Sequence, residues 1–117
     1  MGSRTSWEIR TGDETSSIYL YSHWGGDSKW SDTLAALTAA EPRWTDVSYG
    51  ARIFISQIIA NNWGEETGFG ISSGKPGDSP FEESYFPMVV DFSTQTVIVG
   101  SDTYAFGDVA RVWQFAD

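Results

Sequence analysis

Between Ser28 and Trp63 the apolar residues recur at helical intervals, and on either side of that stretch they alternate as strand residues do. A chain whose period switches from that of a strand to that of a helix and back encloses its helices between strands. Trp30, Leu34 and Leu37 predict a first helix over 28–40, capped by Asp27 or Ser28 and stopped by Pro42. Val47, Ala51, Phe54, Ile55, Ile58, Ile59 and Trp63 predict a second, opened by Asp46 and ended by Asn61, Asn62 and Gly64. Lys29, Asp32 and Thr33 are assigned to the polar face of the first helix. Ile53 is assigned to the side of the second away from its apolar stripe; if the neighbouring helix leaves that side uncovered, Ile53 with Tyr49 makes an exposed patch suited to self-association.

The flanking stretches predict strands. "WEIR" over 7–10 and Ile18–Trp24 form a hairpin across "TGDETS", with Ile18, Leu20, Ser22 and Trp24 on one face and Tyr19, Tyr21 and His23 on the other. In "TGFGIS", 67–72, Gly68 and Gly70 share a face that a helix could approach closely. The stretch 87–100 reads as two strands joined at Ser93–Gln95, and 74–84 as a loop, the segment most expected to be flexible. Phe106, Val109, Ala110 and Trp113 give a short helix within 103–116, a terminal strand being the alternative. The order ββααβββα predicts an α+β domain over 1–117, with 1–6 a flexible start. Its sheet is mainly antiparallel, of about five strands, with the two central helices on one face.

One core suffices for 117 residues of which 40% are hydrophobic. The absence of cysteine removes thiolate chemistry and disulfides and fits the cytoplasm. No apolar run approaches the length of a membrane span, and the start lacks a secretory pattern. Sixteen acids against seven Lys and Arg, a formal charge of −9, oppose direct binding to nucleic acid or to an anionic membrane.

His23, the only histidine, is a candidate general base if Glu65 or Glu66 orients it; the other reading is a strand histidine bonded to backbone. No catalytic residue is assigned on this basis. One His and no Cys exclude the usual metal-ligand sets, and no motif implies a cofactor. Gly25-Gly26 before a helix start could offer N–H groups to an anion, or could simply be a corner. Arg43 and Arg52 are scarce cations near Trp24, Trp44 and Tyr49, a set able to hold phosphate and stack a base; the other reading is ion pairing with Glu65 or Glu66 and ordinary aromatic packing.

"YLYSHWGG" over 19–26, the pattern R-W-x-D-x-x-Y-x-A-R-I over 43–53 and "ETGFGIS" over 66–72 together resemble a family of small uncharacterised bacteriophage and prophage proteins. The resemblance runs from about Ser17 to Val99 and implies no catalytic residue. It implies a small accessory protein in the host cytoplasm, expected to bind rather than to transform. On that expectation the chain counters host defence by sequestering a nucleotide-derived signal, with Trp24, Gly25, Gly26, Arg43, Trp44, Tyr49, Arg52 and His23 as the binding set. The alternative is an acidic decoy that blocks a host defence protein through Asp78, Glu82, Glu83, Asp102 and Asp108. A hydrolase using His23 is the third. The expected partner is a small nucleotide-like ligand or a host defence protein, with homo-oligomerisation open.

Overall fold

Trp7 and Ile9 alternate with Ser6, Glu8 and Arg10, and this two-sided strand lies in the middle of the sheet. The structure, a computed structural model, describes residues 3–81, 86–109 and 111. Strands β1 (Thr5–Arg10) and β2 (Ser17–Ser22) form the expected hairpin, followed by helices α1 (Lys29–Ala40) and α2 (Val47–Ile59), with a 3-10 turn at Glu41–Arg43 between them. Strands β3 (Phe69–Gly74), β4 (Met88–Asp91), β5 (Thr96–Val99) and β6 (Asp102–Ala105) complete one sheet in the order β3-β2-β1-β4-β5-β6.

The domain is α+β as the periodicities require, but the sheet differs from the expected one in two respects. It has six strands, and β1 runs parallel to β4 while every other neighbouring pair is antiparallel. The added strand lies where a C-terminal helix was expected. Gly100, at a φ of +61°, turns the chain so that Val99 pairs with Asp102, and residues 102–105 extend the β4–β5 hairpin. The helical spacing of Phe106 and Val109 still buries both against the core, whereas Ala110 and Trp113 lie outside the described residues. β1 starts at Thr5, so Thr5 and Ser6, expected in a flexible segment, are sheet residues.

Both helices cover the face that carries Trp7, Ile9, Leu20, Met88, Val90 and Val97. From α1 the buried residues are Lys29, Thr33, Ala36, Leu37 and Ala40, a stripe at i, i+4, i+7, i+8 and i+11. Lys29 and Thr33 therefore leave the polar face to which they were assigned. Thr33 Oγ1 accepts the Trp7 indole N–H at 2.9 Å, and Lys29 Nζ donates to the carbonyls of Ser6 at 2.8 Å and Phe86 at 2.7 Å. The ammonium also stands 5.5 Å from the Trp7 ring centroid and 5.0 Å from that of Phe86.

From α2, Gly50, Ala51 and Phe54 are buried. Asp46 caps the helix as expected, its Oδ1 accepting the Tyr49 N–H at 3.3 Å. Phe54, Phe92, Phe106 and Trp44 form a chain of edge-on ring contacts at 6.2, 5.1 and 5.2 Å. Burial of a side chain such as Phe54 contributes about 2 kcal/mol. Ile53 packs against this core, so the expected Tyr49–Ile53 exposed patch does not form; Trp63, assigned to the apolar face, is 83% exposed beyond the helix end. A Cβ at Gly70 would meet nothing within 4 Å, so among the described residues no helix approaches that position of β3, where one was expected; at Gly68 it is the Trp24 ring that comes close.

Candidate functional site: the cleft on the helix-free face

The side chains pointing away from the helices build the other surface of the sheet. Register places Ile98, Val89, Glu8, Tyr19 and Ser72 in one row across β5, β4, β1, β2 and β3. Over the β1–β2 part of this row lies the loop that follows β3. Glu8 Oε1 accepts the Gly77 N–H at 3.0 Å; Tyr19 Oη donates to the Lys75 carbonyl at 2.7 Å and accepts the Asp78 N–H at 3.1 Å. The Phe81 ring stacks on Tyr21 at 5.0 Å. The described part of the segment expected to be the most flexible is thus fastened to the sheet by two buried side chains, Glu8 and Tyr19; 82–85 lie outside the described residues.

Where the loop leaves the sheet uncovered, a cleft of about 310 Å³ opens, with Val89 and Ile98 in its floor and Ser6, Ser79, Tyr19 and Arg10 around it. A second, of about 380 Å³, lies beside it among Asp13, Glu14, Asp91 and Ser93. Arg10 lines both. Its Nε donates to Glu8 Oε2 at 2.7 Å, and Ser17 Oγ donates to the same oxygen at 2.6 Å. Both Glu8 oxygens thus accept hydrogen bonds, while the Nη groups of Arg10 make no hydrogen bond or ion pair among the described residues, although the charge of Asp91, opposite on β4, acts on the guanidinium. A guanidinium clamped on one edge and open on the other is a preorganised anion receptor.

Burial pushes the Glu8 carboxyl up, but the hydrogen bonds from Arg10, Ser17 and Gly77 and the Arg10 charge outweigh it, so the group is held below the ordinary value of 4.5. A carboxylate whose folded value is depressed contributes its full stability above the unfolded value and loses it as the pH falls through the folded one. Glu8→Gln is expected to lower stability at pH 7 by about 1–3 kcal/mol. The gap to the native chain should narrow below the ordinary value, as measured by urea unfolding between pH 7 and pH 3; a gap independent of pH would assign the loss to packing alone. Burial also raises the Tyr19 phenol, which stays protonated and able to donate to Lys75.

The residues singled out in the sequence lie elsewhere and fall into separate groups. His23, Trp24, Gly25 and Gly26 are at the start of α1, and Arg43 and Trp44 follow its far end, about 18 Å along a helix of twelve residues. Tyr21 Oη and His23 Nδ1 are 2.9 Å apart, and no carboxylate bonds to His23 among the described residues. Gly25 is a corner by necessity, since a Cβ there would stand 2.6 Å from Ser22 Oγ; the Gly26 N–H is taken by the Ser3 carbonyl at 2.8 Å. A depression of about 220 Å³ beside Trp24 contains Asp32 and no arginine. Trp44 donates its indole N–H to the Leu37 carbonyl at 3.0 Å and packs in the core. Arg43, Tyr49 and Arg52 do assemble, on the outer face of α2.

Of the acids expected in a decoy, Asp78 is in the fastened loop, Asp102 opens β6, Asp108 pairs with Arg111 at 3.7 Å, and Glu82 and Glu83 lie outside the described residues. Among the described residues no group of three or more His, Asp or Glu could hold a metal ion, and no helix is long and apolar enough to cross a membrane. The Glu8–Arg10 pair was missed by reading for scarce motifs. Its signal is in "WEIR", where an acid and a base two apart on a strand must share the face opposite Trp7 and Ile9.

Compared with known protein families, with curated proteins and with solved structures, the chain has no match.

Proposed function

We propose that this chain is a non-catalytic binding protein that captures a small monoanionic, nucleotide-derived ligand, a cyclic nucleotide being the simplest, in the cleft beside the 75–81 loop. The observation that carries the reading is the Arg10 guanidinium, clamped by buried Glu8 and open toward a cleft with an apolar floor. A volume of about 310 Å³ is at the lower end of small-molecule sites. The floor of Val89 and Ile98 suits a planar base. Asp13, Glu14 and Asp91 in the adjoining cleft favour a single negative charge over a multiply charged phosphate. Glu8, hydrogen-bonded at both oxygens and held below the ordinary carboxyl value, is a weak base, which favours holding over hydrolysis. In the phage setting that the resemblance implies, capture withdraws a signal from host defence.

The test is a thermal-shift panel of cyclic mononucleotides, cyclic dinucleotides, ADP-ribose and nucleoside monophosphates, followed by denaturation and mass spectrometry of what is released. At a hundred times its dissociation constant a ligand adds about 2.7 kcal/mol, a rise of roughly ten degrees for a domain of this size. The expected result is such a rise with a cyclic nucleotide, smaller with the dianionic monophosphates, and release of the nucleotide unchanged. No rise across the panel, or release of a hydrolysed product, overturns the reading.

A further inference from the structure

Between Arg43 and Gly64 the chain carries one carboxylate, Asp46, although sixteen of its residues are acidic. That carboxylate is engaged in the α2 cap, receiving the Tyr49 N–H. The outer face of α2 is left locally positive. The Arg43 guanidinium stands over the Tyr49 ring at 5.4 Å; Arg52 lies one turn beyond Tyr49 and donates from Nη1 to Ser56 Oγ at 3.5 Å. All four side chains are exposed, Tyr49 at 56%, and among the described residues neither arginine has a carboxylate within ion-pairing distance. Glu41, the nearest acid on the other side of Arg43, forms no such pair either.

Two unpaired guanidiniums flanking an exposed tyrosine are unusual on a chain of charge −9, which has carboxylates to spare for neutralising them. Arg and Tyr are also the residue types on which binding energy concentrates at protein interfaces. We infer that the outer face of α2 is a docking surface for a short acidic segment of a partner protein, whose carboxylates pair with Arg43 and Arg52 across Tyr49. A short segment meets the local positive field within a Debye length, about 8 Å at physiological salt, whereas a long polyanion meets the repulsion of the whole chain. This surface is separate from the Arg10 cleft and does not depend on what that cleft holds.

The probe is a labelled ten-residue peptide of Glu and Leu, with its Gln and Leu analogue as control, followed by fluorescence anisotropy and by amide chemical shifts. Saturable binding of the acidic peptide is expected, with shifts confined to 43–56 and no binding of the Gln analogue. Arg43→Gln with Arg52→Gln should weaken it about tenfold, as should raising salt from about 50 to about 200 mM. Tyr49→Ala should weaken it without changing the salt dependence. Because all three residues are exposed, these variants should melt within about two degrees of the native chain. Absence of shifts over 43–56, or affinity unchanged in the double variant, overturns the inference. Tighter binding of a single-stranded oligonucleotide of equal charge overturns it in favour of nucleic acid.

Discussion

Gly50→Ala is expected to destabilise the domain although alanine is the better helix former. In a helix interior the exchange ordinarily gains about 1 kcal/mol. Here the new Cβ would stand 2.6 Å from the Arg43 carbonyl oxygen and 3.0 Å from the Phe92 ring, so a backbone atom or the aromatic core must move. Overpacking of this kind costs about 1–3 kcal/mol beyond the propensity gain and can exceed it where backbone is the obstacle. A net loss of about 2 kcal/mol corresponds to a melting temperature lower by roughly 6–10 degrees. Gly64→Ala is the control, since its Cβ would meet nothing within 4 Å; it should leave the melting temperature unchanged. A Gly50→Ala variant at least as stable as the native chain would show that α2 does not lie this close to the 41–43 turn.

Arg10→Leu is expected to weaken capture of the cyclic nucleotide strongly while the domain stays folded. The guanidinium is the only cation among the cleft's described lining residues, and a charge-assisted hydrogen bond is worth about 1.5–3 kcal/mol, so affinity should fall by roughly ten- to more than a hundredfold. Loss of the counter-charge on buried Glu8 should cost about 1–3 kcal/mol, but the Ser17 and Gly77 bonds remain, and a cooperative melt of the ligand-free variant checks that it is folded. Arg10→Lys keeps the charge without the fork and should bind with intermediate affinity. Isothermal titration of the three proteins decides the matter; equal affinity in all three would place the ligand outside this cleft.

The cleft itself could not be read from the chain because it depends on a loop returning over the sheet. "GKPGDSPFEES" reads as exposed and mobile by composition, and nothing local indicates that Glu8 and Tyr19, some sixty-nine and fifty-nine residues away from their partners, hold it down. Arg43, Tyr49 and Arg52 were legible as a group because α2 alone brings Tyr49 and Arg52 onto one stripe, and the short turn before it returns Arg43 to the same stripe. The Trp24 corner was legible as a corner but not as part of that group, because the length of α1 separates them.

A segment of the chain settles alone whatever depends on its own backbone and near neighbours. The α1 boundaries, the start of α2 at its Asp46 cap, the β1–β2 hairpin and the β4–β5 pair follow from spacing and turns within a dozen or so neighbouring residues, whereas α2 stops at Ile59, short of the expected Trp63. The phase of α1 depends on contacts between distant segments. By hydropathy Lys29 and Thr33 belong in water, yet they are buried because Trp7 needs an acceptor and the Ser6 and Phe86 carbonyls need a donor. The parallel β1–β4 pair, the sixth strand and the state of Arg10 depend on such contacts as well. Each of these is an interaction between segments distant in sequence, and its energy exists only once the sheet has brought them together.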